Sequence, residues 1–165
     1  MEERAEKQEA RTAMGFSRRF AAASWLLVAA WACFIFFMSA HTGDDLNEGL
    51  GVLSALYAWL KAASARLFGA GVDLASPLGH FLEYAVFGAL LANALRCHLP
   101  PSRAVAVAVL CAGAYGATDE LHQLFVPDRA CDPVDWLVDV AGALAGALIA
   151  RGVLAARAAK RSGED

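Results

Sequence analysis

The stretch FAAASWLLVAAWACFIFFMSA, Phe20 to Ala40, runs 21 residues without a charge. A helix needs about 20 apolar residues to cross the hydrocarbon core of a bilayer, so this stretch reads as a membrane span. A secretory leader is the competing reading, with Met38-Ser39-Ala40 as a weak cleavage-like end. Leaders have apolar cores of about 7–15 residues and short basic tails. The longer core and the long tail, with four glutamates among its bases, favour an anchor that stays in place.

Composition extends that reading to the whole chain. Of 165 residues, 58% are hydrophobic and 19% charged, and mean hydropathy is +0.44. Soluble domains average about 45–50% apolar and about 25% charged. A disordered chain and a typical soluble enzyme are both excluded. A net charge of -3 argues against a nucleic-acid partner. The four cysteines show no CxxC pair and no zinc spacing.

Three further apolar runs follow. Ala85 to Leu95 is interrupted only by Asn93 and extends back through Leu78–Tyr84. Ala104 to Thr118 follows Arg103. Trp136 to Ala150 holds one acid, Asp139, and ends at Arg151. The expectation is an all-α integral membrane bundle of four spans, at about 20–40, 77–95, 103–122 and 133–150. Charged tails at 1–19 and 156–165 would flank a single domain at 20–155. This topology puts eleven basic residues on one side and only Lys61, Arg66 and Arg129 on the other. The positive-inside rule then places both termini in the cytoplasm. Val52 to Val72 carries Lys61 and Arg66 among Leu, Ala, Tyr57 and Trp59. As a fifth span it would leave the remaining bases evenly divided. It is expected instead as an outer amphipathic helix, lying on the membrane or packed over the bundle. Cys131 has no outer partner, so no intramolecular disulfide is expected.

Ser76-Pro77 and Asp132-Pro133 share one logic. A capping side chain precedes a proline whose missing N–H costs nothing in the first turn. The second and fourth spans should start there and run inward, with Glu83 and Asp139 each seven residues past the cap. The matched 56-residue offset is consistent with duplication of a two-helix unit. Gly142 and Gly146 form a small-residue pair on the fourth span. Such pairs let backbones approach closely, within the bundle or in a homo-oligomer.

The acids converge in depth. Glu83, Asp139 and Asp119 lie 13, 12 and 16 residues from Arg96, Arg151 and Arg103, respectively. At about 1.5 Å rise these are roughly 20, 18 and 24 Å from the inner face. All three fall in the outer part of a core about 30 Å thick. A charge at that depth is costly, so it faces the bundle interior or water and marks a functional site by default. His80, Glu83 and Tyr84 share one helix face, as do Asp119, His122 and Gln123. Asp132, Asp135 and Asp139 follow at i, i+3 and i+7, and Arg129 is the counter-ion on hand. Plainer roles exist for several: Asp132 as a helix cap, Asp135 against the helix dipole, Glu120 and His122 facing solvent, Tyr84 as an interfacial aromatic, and Arg129 in a structural ion pair.

The pattern His80-Phe81-x-Glu83-Tyr84, followed by Asp119-Glu120-x-x-Gln123-x-Phe125-x-Pro127-x-Arg129-x-x-Asp132-x-x-Asp135-x-x-x-Asp139-x-x-Gly142, resembles the VanZ-like family of bacterial membrane proteins. Ser39 also resembles that family's pattern, and the similarity runs from about Phe34 to Ala150. Pro77 stands where the family often has a basic residue, and Asp128 where it often has glycine. The resemblance implies a small multi-pass protein of the bacterial cell membrane. It also implies a link to teicoplanin resistance, through the founding member.

Three functions fit these residues. One is a binding module for a lipid-linked envelope precursor or lipoglycopeptide, contacted by Tyr84, Gln123, Arg129, Asp132 and Asp135. The second is a membrane-embedded acid–base enzyme at the outer leaflet, using His80, Glu83, Asp119, Glu120 and Asp139, with Arg129 holding an anionic group. The third is a structural cluster or a divalent-cation site stapling the helices, where oxygen ligands favour calcium, magnesium or manganese. No organic cofactor is expected, and membrane lipids are the standing partners.

Overall fold

The computed structural model describes residues 17–40, 55, 58–59, 62–66, 69, 75–127 and 129–162. Four long helices carry the fold: α1 (Arg18–Ser39), α2 (Ala75–Leu95), α3 (Pro101–Gln123) and α4 (Pro133–Ser162). Each is long and apolar enough to cross a membrane. No strand occurs among the described residues. The molecule is an all-α membrane bundle, as hydrocarbon requires of a chain that must satisfy every backbone N–H and C=O internally. In the 52–72 segment, residues 55, 58–59 and 62–66 are helical. The rest of the expected amphipathic helix lies outside the described residues, as do 1–16 and 163–165 of the tails.

Local chemistry sets the helix ends. Ser17 caps α1 by accepting from the Phe20 N–H at 3.2 Å. Asp132 caps α4, its Oδ1 accepting from the Val134 N–H at 2.8 Å. Ser76 differs from expectation. The helix already includes Ala75, so Ser76 and Pro77 lie within its first turn rather than at its threshold. Prolines fit anywhere in that turn, because its N–H groups have no intrahelical acceptor. Between α2 and α3 the chain turns tightly. Cys97 and His98 donate back to the carbonyls of Ala94 and Leu95, and Pro100-Pro101 starts the next helix. α4 continues as helix well past Arg151.

α2 is the hub. It packs most extensively on α4, then on α3 and α1, whereas α1 meets α3 only marginally. α2 and α4 run in the same direction, and their contact is backbone against backbone. A methyl on Gly142 would strike the Phe81 carbonyl, one on Gly146 the Ala85 carbonyl, and one on Gly88 the Ala143 carbonyl. Gly142 and Gly146 are thus occupied within the chain by α2. Small buried residues accompany this contact: Ala94 on α2, Ala143 and Ala147 on α4, and Ala108 and Ala112 on the neighbouring α3. Aromatic donors tie the layers together. Tyr115 Oη donates to the Ala32 carbonyl at 2.7 Å, Trp31 Nε1 to that of Glu83 at 2.9 Å, and Trp136 Nε1 to that of Gly113 at 2.9 Å. α1 turns Ser24, Val28, Ile35 and Ser39 inward and leaves Leu26, Leu27, Phe36 and Phe37 on the outside, where a bilayer presents hydrocarbon.

Candidate functional site

The cluster is assembled at one end of the bundle by all four helices. α1 ends there with Met38 and Ser39, α2 begins there with Ser76, Gly79, His80 and Glu83, and α3 ends there with Asp119, Glu120 and Gln123. The loop after α3 adds Arg129. Most of these side chains line a cavity of about 80 Å³. α4 supplies Asp139, which is 0% exposed.

The geometry centres on one pair. His80 Nδ1 lies 3.1 Å from Asp139 Oδ1, joining α2 to α4. Asp139 is pressed against α3, where a methyl on Gly116 would sit 3.2 Å from Oδ2 and 3.4 Å from Tyr84 Cε1. Glu120, 3% exposed, uses Oε2 to accept from the Asp132 N–H at 2.7 Å. It therefore turns inward and holds the start of α4, rather than facing solvent. Tyr84 is fully buried, not interfacial, and its ring meets Phe87 edge-on at 6.1 Å. Ser39 and Gln123 border the Asp119 carboxyl. His122 is half-buried and stacks on Phe36 at 4.4 Å.

One of the expected contact residues lies apart from this interior: Asp132 is exposed and its side chain is spent on capping α4. Asp135 is half-buried in the first turn of α4, near enough for its charge to act on His80, Glu120 and Asp139. Sequence reasoning missed Gly116, which makes room for Asp139 and Tyr84. It also missed Met38, Ser76 and Gly79 as cavity walls. Gly79 lies four residues before Glu83 and Gly116 three before Asp119, one helical turn in each case, and that spacing was the available signal.

Much of the polar interior is unsatisfied. Ser39 Oγ, Tyr84 Oη, Asp119 Oδ1, Glu120 Oε1, Gln123 Nε2 and Asp139 Oδ2 are buried without a hydrogen-bond partner. Acids outnumber the cationic groups beside them, which are His80, His122 and Arg129. Such an interior can take up protons, water or a polar head group. One ligand atom each from His80, Glu120 and Asp139 lies within 4.8 Å of the others, a spread that a single divalent cation can bridge at ligand distances of about 2.0–2.6 Å.

Four apolar helices closing round a polar cavity at one end define a multi-pass membrane protein. The sequence pattern of the VanZ/LLP1 family matches residues 24–155, and the chain belongs to that family. No curated protein and no solved structure matches at a significant level.

Proposed function

We propose that the protein sits in the cytoplasmic membrane of a bacterium, with both termini in the cytoplasm. Its outward-facing polar site captures the head of a lipid-linked or lipophilic envelope molecule. The orientation rests on the excess of Lys and Arg on the side of the termini. The binding reading rests on one observation, the buried polar atoms without partners around the cavity. Each such atom costs about 1–3 kcal/mol, and a ligand bringing donors and acceptors recovers part of that cost. The cavity volume equals roughly five to eight waters. A phosphate or a carboxylate fits it, and a whole antibiotic does not. The apolar remainder of the ligand would stay in the bilayer, and Arg129 is placed to grip an anionic head. The family's association with teicoplanin supports a lipid-bearing glycopeptide, or the precursor it attacks, as the molecule concerned.

The His80–Asp139 pair favours a second reading, acid–base catalysis at the outer leaflet. There His80 would exchange protons with a cavity water, and Asp139 would orient the imidazole. Turnover of a lipid-linked substrate separates the two readings. A cation bridging His80, Glu120 and Asp139 would show as a melting temperature lowered by chelation.

The test is teicoplanin and vancomycin susceptibility of bacteria expressing the chain, beside Asp119→Asn and Asp139→Asn at equal membrane abundance by immunoblot. The reading expects protection by the wild type and loss of it in both variants. Equal protection by the variants would make the cluster structural. No protection by the wild type would redirect the search to other envelope lipids.

A further inference from the structure

A second cavity lies at the opposite end of the bundle, lined by residues of α2, α3, α4 and the α2–α3 turn. Its volume is about 560 Å³, several times that of the acidic site. Leu99, Ala104, Val105 and Leu154 give it apolar walls, and its charged lining residues are Arg96 and Arg151. No Asp or Glu occurs between positions 84 and 118 or between 140 and 162. The local charge is therefore wholly positive among the described residues at this end. Arg96 is held in place, its Nε donating to Asn93 Oδ1 at 2.9 Å and its guanidinium carbon lying 5.2 Å from the centre of the Phe20 ring. α3 begins at the same cavity with no side chain capping its first turn, which adds the positive end of its dipole. Leu154, Ala155 and Ala158 lie on the part of α4 beyond Arg151, so the helical extension builds one wall.

We propose that this cavity binds an anionic glycerophospholipid from the leaflet on the side of the termini. The phosphodiester sits between Arg96 and Arg151, and an acyl chain fills the apolar slot. The arginines stand where the apolar spans end, which is the depth of lipid phosphates. Arginine forks match phosphate oxygens, and basic pockets between helices on this side of a membrane suit anionic head groups. A free phosphate would leave the slot unfilled. A zwitterionic lipid would bring its own cation toward two guanidinium groups and an uncompensated positive end.

The test uses the full-length protein in neutral detergent and reads thermal unfolding. Short-chain phosphatidylglycerol is titrated against phosphatidylcholine and against inorganic phosphate. At a hundredfold excess over Kd, phosphatidylglycerol should raise Tm by roughly 5–10 °C, and the two controls should raise it far less. Arg151→Gln, at an exposed position, should weaken the phosphatidylglycerol response about tenfold. Ala155→Phe keeps both arginines but fills the slot, and should abolish the response. Asp119→Asn, at the other end, should respond as the wild type does, which keeps this site separate from the acidic one. An equal shift with phosphatidylcholine, a full shift with inorganic phosphate, or an unchanged response in Arg151→Gln would each overturn the proposal.

Discussion

Single side chains hold helix to helix at the acidic end. Glu120 and Asp132 form a relay there. The Glu120 carboxylate fixes the Asp132 N–H, and the Asp132 carboxylate fixes that of Val134. Asp132→Ala removes the cap and should lower stability by about 0.5–2 kcal/mol, read as a lower Tm. Asp132→Asn should recover most of the loss. Trp136 Nε1 ties α4 to the Gly113 carbonyl. Trp136→Phe keeps the ring packing and loses that bond. It should cost about 0.6–2 kcal/mol, the range for interhelical bonds in membranes. Unfolding in a denaturing detergent titration reads both changes.

Between elements, the α2–α4 seam is the tightest contact. Gly88, Gly142 and Gly146 each face a carbonyl that an added methyl would strike, and backbone has no rotamer with which to yield. Alanine at any of them should cost about 1–3 kcal/mol. Gly152, on the same helix, has nothing within 4 Å. Gly152→Ala should instead gain about 0.5–1 kcal/mol from reduced backbone freedom. Tm values of the four variants, measured side by side, check the contrast. This is also where legibility from sequence divides. The spans are plain in hydropathy, because hydrocarbon punishes every charge. The shared depth of Glu83, Asp119 and Asp139 follows from counting back to Arg96, Arg103 and Arg151. The inward turn of Glu120 does not follow, because adjacent Asp119 and Glu120 lie about 100° apart on a helix and both prove buried. Nor does the partner of Gly142, since a small-residue face fits a neighbour in the same chain as well as one in another.

The whole molecule is polarised. All described acids lie toward one end, and the basic residues concentrate at the other, with Arg66 and Arg129 as the described exceptions. The cysteines report on this arrangement. Cys131 is exposed beside the acidic end, and Cys97 is half-buried in the turn at the basic end. Burial raises the Cys97 thiol pKa, with Arg96 opposing the shift, so less thiolate is present there at neutral pH. With the termini inside, as proposed, a membrane-impermeant maleimide should label intact cells at Cys131, and Cys131→Ser should abolish the signal. Labelling of Cys131 only after the membrane is opened would reverse the orientation. Cys33 and Cys111 lie on outer faces of α1 and α3, where hydrocarbon excludes the reagent.

The seam between α2 and α4 also sets a timetable. Gly88 is synthesised 58 residues before Gly146. At about 5–20 residues per second, the second helix waits roughly 3–12 s for its partner. During that interval His80 and Glu83 are already made and Asp139 is not. The polar chamber is thus a late product of translation, and a ribosome stalled after α3 leaves His80, Glu83, Asp119 and Glu120 for the insertion machinery to shelter.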